Sequence, residues 1–464
     1  MRFLLFGTGN YYERYKKWLL KKDIVALLDN SPHKQNTVID GIEVLAPENG
    51  VKRPFDVVVI LSFYVKEMRQ QLQELGVPEK KIFHFYDLNQ LLYRRELERP
   101  VQYYECESTF SDFGHAYRNK ILLLSQDLDL GGPALALFQA ARVLKQQRFY
   151  VIYASMIDGP LKSRLLQEQI PVVVDVNMQI ARMEDCEWIK GFDLIICNTI
   201  NFHVFLTKRD CRMTVIWWLH DSAFFYHGVR KDVLQAIDRE QLTVCSVGVV
   251  PEQAIHEFVP DLLVQRLLYG VEDCFCEAKA AGEKICFITI GYIEYRKGQD
   301  ILVEAIRLLP KEIREKTRFD FVGQKTSMLA QKLLEQTETM PEITMTGPVD
   351  RIQINEMLQN ADLMICPSRE DPMPTVCAEA MMHGVPCLVS DAVGMAEYIE
   401  NEVNGLVFQN ENAKMLSEKI QWCVYHHDKL SNMGMCAKEV YHKYFSMDVF
   451  ERELLTLVDK CIAT

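Results

Sequence analysis

Between Leu363 and Asp391 the chain reads LMICPSREDPMPTVCAEAMMHGVPCLVSD, and few folds accommodate it. LMIC is a short apolar run of the kind buried on both faces, and PCLVSD reads as a second. Between them PTVCAEAMMH is a helix, with Pro374 at its start and Gly384 as its stop. The second strand therefore returns parallel to the first. The turn REDPMP falls at the carboxyl end of a strand and the amino end of a helix. Free N–H groups and the helix dipole favour anions there, and open α/β sheets bind ligands there. Core packing needs neither the adjacent carboxylates Glu370 and Asp371 nor Glu379 on the helix, so the turn reads as a site.

The same logic of apolar strand, glycine turn and amphipathic helix recurs three times along the chain, which predicts parallel sheets with alternating β and α elements. The first unit spans residues 1–90 (RFLLFGTGN, IVALLDN, DVVVIL). Residues 91–118 are polar and aromatic and read as a linker with little core of its own. A second unit spans 119–275, opening with ILLLSQDLDLGGPALALFQAARVLKQQ, where Pro133 suits the first helical position. A third spans 283–446, opening with CFITIGYIEYRKGQDILVEAI. Residues 447–464, MDVFERELLTLVDKCIAT, form a closing helix.

At 464 residues with 48% hydrophobic and 25% charged content, the composition is that of a soluble globular protein of several domains. A net charge of -12 argues against a nucleic-acid partner. No apolar run reaches the roughly 20 residues of a membrane span, and MRFLLFGTGN is too short for a signal peptide. The 14 cysteines are scattered without a CxxC pair, and Cys274 with Cys276 has no histidine cluster beside it. That pattern fits reduced thiols in the cytoplasm and no metal site.

Glu379 lies five residues beyond Pro374, about 7.5 Å along the helix, with its side chain leaning back toward the helix start. A carboxylate there sits beside an anion held at the helix mouth and can accept from a vicinal diol such as a ribose. Asp371 would face the other side of the same ligand. A phosphate flanked by two hydroxyl-bearing groups is a nucleotide sugar. The competing reading leaves Glu370 and Asp371 as favourable first-turn charges and Glu379 in solvent. Arg296 and Lys297, in GYIEYRKG after the strand CFITIG, weigh against it, because cations there can neutralise a diphosphate leaving group.

Taken together, LSQDLDLGGPALALFQAARVL, WWLHDS, LLYGVED, GYIEYRKGQD, FVG, TGPVD and PSREDPMPTVCAEAMMHGVPCLVSDAVGMAEYI followed by NGLVF resemble the retaining glycosyltransferases of family 4, which have the GT-B fold. The resemblance covers about Lys120 to the C-terminus. It implies two facing Rossmann-like domains, here preceded by a third, with the nucleotide held mainly by the C-terminal one. It implies transfer of a sugar with retained anomeric configuration, from a UDP-sugar, without metal or cofactor. Lys297 would bind the diphosphate, Glu379 the ribose, and Asp371 would take the first acidic position of the paired-glutamate motif. Backbone N–H groups of Met373, Thr375 and Val376 around Pro374 would face sugar and phosphate. Gly131 and Gly132 would close over the diphosphate, and His220 would sit near donor sugar and acceptor. Gly291, Val349 and Glu370 complete the donor-binding set. The sequence departs from the family in having Asp371 where glutamate is usual and Tyr292 where arginine often follows Gly291, with Arg296 as substitute. The implied mechanism passes the acceptor proton to the leaving phosphate, with no side-chain nucleophile.

Pro372 and Pro374 each bias the preceding residue to extended backbone, so Asp371 and Glu370 should point to opposite sides. Glu370 would then pair with Arg369 or solvent. In the first unit, Gly7 and Gly9 form a glycine turn, but Tyr12 stands where a dinucleotide site would have a third glycine, while Asp29 is placed for a ribose. The run LLDNSPHKQNTVIDGIEVLAP resembles Rossmann-like domains preceding some bacterial sugar-modifying enzymes. This unit reads as structural or partner-docking, including a second copy of the chain, and the basic aromatic helix YYERYKKWLLKK can touch anionic lipid. The expectation is a cytoplasmic enzyme, at the inner face of the membrane, acting on a glycan or lipid-linked acceptor of a bacterial surface polysaccharide or cell wall. The alternatives are a non-catalytic subunit of the same fold, an NAD-dependent oxidoreductase built on the first unit, and a same-fold epimerase or phosphorylase.

Overall fold

The computed structural model describes residues 1–91, 101–105, 117–274 and 283–463. Most of the 91–118 linker and Cys276 lie outside the described residues. The chain builds three sheets. The first orders its strands Val38–Ile39, Ile42–Leu45, Asp23–Leu28, Arg2–Phe6, Val57–Ile60 and Ile82–His84. The second runs Val264–Arg266, Leu242–Ser246, Val215–Leu219, Leu194–Asn198, Lys120–Ser125, Tyr150–Ser155, Val172–Val174 and Gln102–Tyr104. The third runs Ile343–Gly347, Thr317–Val322, Ile285–Ile290, Leu363–Cys366, Cys387–Ser390 and Gly405–Phe408.

Pairing is parallel throughout except at two edges, Val38–Ile39 and Gln102–Tyr104. Central strands such as LMIC and CLVS are buried at every position, as expected where helices cover both faces. In the second and third sheets the first strand of the unit lies in the middle and the order reverses beside it, the Rossmann arrangement.

Three details differ from the sequence reading. Gln102–Tyr104, assigned to the linker, pairs antiparallel with Val172–Val174 and is part of the second sheet. Pro374 is the extended N-cap of helix Thr375–Met382, and Pro133 lies one residue inside helix Gly132–Gln146. The helix Met447–Ala463 crosses back to the second sheet, where the rings of Phe450 and Trp218 stack at 5.9 Å.

In the first unit, Tyr12, Tyr15 and Trp18 of helix Asn10–Leu19 are buried, so these rings fill a core and are not presented to lipid. Asp29 accepts from the N–H groups of Thr8 at 3.1 Å and Ser31 at 2.9 Å, and pairs with Lys34. The acid expected to meet a ribose is thus spent on its own turn. The described cysteines are free thiols. Among the described residues no helix is long and apolar enough to cross a membrane.

Candidate active site

The third sheet changes direction of growth between Ile285–Ile290 and Leu363–Cys366, and the crevice outside such a switch point is where α/β sheets bind ligands. Gly291, Arg296 and Lys297 follow the first of these strands; Glu370, Asp371, Met373 and Pro374 follow the second. Arg369 locks the two loops together. Its N–H donates to the Arg296 carbonyl at 2.8 Å. Its guanidinium grips both Asp300 oxygens at 2.8 and 2.7 Å and lies 3.8 Å over the Tyr295 ring. A bidentate fork fixes orientation as well as distance. Gly298 permits the close approach: at φ 68° a Cβ would stand 2.0 Å from the Pro367 carbonyl oxygen.

Within this frame Lys297 Nζ lies 2.5 Å from Asp371 Oδ2, and Arg296 comes to 3.8 Å of the same oxygen. Burial alone would lower the Lys297 ammonium, but the Asp371 carboxylate outweighs it and holds the group protonated above its usual range. Arg296 is braced by Glu294 at 3.0 Å and by the Glu370 carbonyl at 3.2 Å. Helix Thr375–Met382 starts at this turn with no side-chain cap, leaving first-turn N–H groups for another acceptor. Met373 is buried, and Thr375 and Val376 are half-buried.

Glu379 is 6% exposed. Its Oε1 is 2.7 Å from Arg351, while Oε2 is buried with no partner among the described residues. Burial raises this carboxyl, and the Arg351 guanidinium offsets only part of the rise. Arg351 opens helix Arg351–Asn360, two residues after the half-buried Val349. The sequence reading missed it, although a cation directly after TGPVD was a usable signal. It also passed over Tyr269 of LLYGVED. This phenol is buried, its oxygen has no partner among the described residues, and burial together with Cys377, Asp371 and Glu379 pushes it well up.

The facing domain contributes the loop after strand Val215–Leu219. His220 rests against Trp218 with ring centroids 4.4 Å apart, and its Nε2 is buried without a partner among the described residues. Burial pushes the imidazole down to about 3, so it is neutral. The adjacent Asp221 accepts the Ile200 N–H at 2.6 Å and is pushed up to about 7 by burial. Glu370 crosses the cleft and accepts the N–H of Ala223. This corrects the expectation that Glu370 pairs with Arg369 or solvent. Arg369 is already occupied by Asp300 and Glu411, and the side of the turn opposite Asp371 faces the other domain. Gly248 adds to this contact, since a Cβ there would come within 2.9 Å of the Pro372 oxygen and of Met373 Cε. Gly131 and Gly132 cap and open helix Gly132–Gln146. No hydrogen bond among the described residues joins them to the Lys297 loop.

Comparison with known proteins bears on the fold. Residues 1–83 match the model for C2185-like, N-terminal, and residues 275–440 that for Glycosyl transferases group 1. Over 112 residues the chain is 33% identical to the N,N'-diacetylbacillosaminyl-diphospho-undecaprenol alpha-1,3-N-acetylgalactosaminyltransferase of Campylobacter jejuni, covering 24% of this chain and 30% of that one. Over 168 residues it is 25% identical to the lipopolysaccharide glucosyltransferase WaaG of Escherichia coli, covering 36% and 42%. The chain thus spans less than half the length of the curated relatives it matches. The crystal structure of Anabaena Alr3699/HepE in complex with UDP and glucose superposes with a TM-score of 0.61 at 20% identity, over 74% of this chain and 100% of that one. At that identity the likeness speaks to the fold alone. The second and third sheets therefore have the GT-B arrangement, and the third unit is similar to the glycosyl transferases group 1 over residues 275–440.

Proposed function

We propose that the protein is a retaining glycosyltransferase, moving a sugar from a UDP-sugar to a glycan or lipid-linked acceptor in bacterial surface-polysaccharide or cell-wall synthesis. The reading is carried by the pairing of half-buried Lys297 with buried Asp371 at the switch point, beside an uncapped helix N-terminus and the unpartnered Oε2 of Glu379. Lys297 and Arg296 neutralise the diphosphate with the first-turn N–H groups, Glu379 Oε2 accepts a ribose hydroxyl, and Asp371 accepts a hydroxyl of the donor sugar. As the bond from the anomeric carbon to the phosphate oxygen breaks, the acceptor oxygen attacks on the same face. Its proton passes to the departing phosphate oxygen. Asp371, held by Lys297, orients the sugar and does not attack it. The neutral imidazole of His220 presents a hydrogen-bonding nitrogen to donor sugar or acceptor. The protein's contribution is positioning and preorganised charge, with the cations of the chain standing where a metal would otherwise serve. Work at the cytoplasmic face of a membrane, with the first unit docking a partner, fits acceptors of the kind named for the relatives.

The test is a panel of nucleotide sugars, scored by thermal stabilisation and by release of free nucleotide. Stabilisation by one UDP-sugar, with hydrolysis or transfer of its sugar, is the expected result. A panel without effect on melting or turnover would overturn the proposal.

A further inference from the structure

Open α/β sheets present their ligand-binding loops at the carboxyl ends of parallel strands. In the first sheet, residues 62–64 lie just beyond strand Val57–Ile60, and Phe85–Asp87 follow strand Ile82–His84. This edge receives a protein segment, residues 224–230 of the second unit. Phe63 packs against Phe225 at 5.1 Å and Phe224 at 6.1 Å, and Tyr64 against Phe224 at 5.9 Å. Behind Phe63 stand Tyr11 at 4.8 Å and Phe85 at 5.4 Å, so the ring that meets the segment is backed by the first unit's own core. Gly228 lies so close to His84 that a Cβ would stand 2.5 Å from the imidazole Cε1. That ring is held from behind. Its Nε2 hydrogen-bonds the Ser62 carbonyl at 2.9 Å, and the His84 backbone N–H donates to Asp87 at 3.0 Å. Asp87 in turn comes within 3.8 Å of Arg230.

The same segment belongs to the cleft at its other end. It continues directly from His220 and Asp221, and Asp221 fixes its start by accepting the Ile200 N–H at 2.6 Å. The turn Ala223–Tyr226 follows. Its Ala223 N–H donates to the Glu370 side chain of the third unit, and the Glu370 carbonyl accepts from Arg296 at 3.2 Å. Phe224 alone separates that N–H from Phe225, whose ring rests on the first unit. The turn closes on itself, with the Phe225 N–H donating to the Ser222 carbonyl at 3.0 Å. Tyr226 and Val229 point the other way, into the core of the second unit. One short turn thus carries contacts to all three units. Close-packed rings transmit displacement because they have no free volume to absorb it. A shift at Phe63 is therefore passed to the Ala223 N–H and to the backbone leading from His220.

We propose that Phe63 and His84 are positioning residues, by which the first unit braces segment 220–230 and so sets the placement of His220 and of the Ala223 N–H in the cleft. The effect on turnover rests on the glycosyl-transfer reading; the brace itself does not. Hydrogen exchange of the full chain, read by mass spectrometry, tests the brace. Phe63→Ala should speed exchange across 220–230 about tenfold, while the central strands of the second and third sheets keep their protection. Phe63→Leu restores apolar bulk and should recover most of the loss. Gly228→Ala should loosen the same segment from its own side of the contact. Should Phe63→Ala fail to fold, Tyr64→Ala replaces it, because Tyr64 is 64% exposed yet meets Phe224. Unchanged exchange at 220–230 in the folded variants would overturn the proposal. With a UDP-sugar that supports transfer, Phe63→Ala should lower kcat about tenfold and change the donor KM less than about twofold, since the donor's contacts lie on the third unit. Normal kcat in a variant whose segment has loosened would end the positioning role. The two readings fail separately. Loosening in a chain that transfers nothing upholds the brace and sinks the transfer reading; transfer with unchanged exchange sinks the brace alone.

Discussion

Lys297 Nζ and Asp371 Oδ2 meet at 2.5 Å across 74 positions of sequence. The contact joins loops from two strands that are neighbours in the sheet, so neither residue can be changed without disturbing the other's charge. Lys297→Ala removes a preorganised cation and leaves a buried carboxylate facing only Arg296. Transfer should fall by about 10²–10³, read as kcat with a saturating donor. An effect below about threefold would mean that Arg296 carries the diphosphate.

The adjacent acids should separate cleanly. Asp371→Asn should slow transfer at least about tenfold, or about 1.4 kcal/mol in the barrier. Glu370→Gln keeps an oxygen that can still accept the Ala223 N–H, so its change should be modest. The reverse order in matched kinetics would make Glu370 the sugar-facing acid.

Glu379→Ala should abolish measurable transfer while the protein keeps its cooperative melt. It removes the one carboxylate oxygen available to a ribose and strands Arg351 without its 2.7 Å partner. Near-normal turnover would end the ribose assignment.

Acid should destabilise the protein in a way that can be dissected. Burial pushes His84 down to about 3, His203 to about 4 and His220 to about 3, from 6.5. Each imidazole is neutral when folded and takes a proton when unfolded, so stability falls as pH drops from 6.5 toward 4. Asp221, raised from 3.8 to about 7, keeps its proton in the folded protein and offsets one histidine over most of that window. His220→Gln should flatten the pH slope of the unfolding free energy by about one proton, about 1.4 kcal/mol per pH unit. Asp221→Asn should steepen it by a similar amount. Denaturant titrations at stepped pH read both, and unchanged slopes would contradict the buried, neutral state of His220.

Chelation by EDTA should leave transfer unchanged. The described residues that could gather around an ion are Cys211, Asp238 and Glu240, which precede strands Val215–Leu219 and Leu242–Ser246 and so lie at the end of the sheet opposite His220. Loss of activity restored by magnesium or manganese would refute this.

What could be read before any coordinates was whatever a short stretch encodes by itself. The turn REDPMP announced its strand, its helix and its carboxylates within a few residues, and CFITIGYIEYRKG did the same for the cations. Contacts made over long separations were not legible. Nothing near Glu370 says that its partner is the N–H of Ala223, 147 positions away. Nothing in Gln102–Tyr104 distinguishes an edge strand from a linker until Val172–Val174 is beside it. Asp29 misled for a related reason: its position matched a ribose-binding acid, but Thr8, Ser31 and Lys34 had already claimed it.

The return of helix Met447–Ala463 to the second sheet has a consequence for how the molecule is made. Gln147 meets Glu451 across 304 positions, and Arg118 meets Asp459 across 341. Translation proceeds from the amino end, and domains fold as they emerge. This one must wait, its Trp218 face uncovered, until every strand of the third sheet has left the ribosome. The third unit, contiguous in sequence, can finish while the second is still missing a wall. Closure over such a span is slow, so the nascent second unit carries an exposed apolar surface throughout, and a chaperone would find its substrate there.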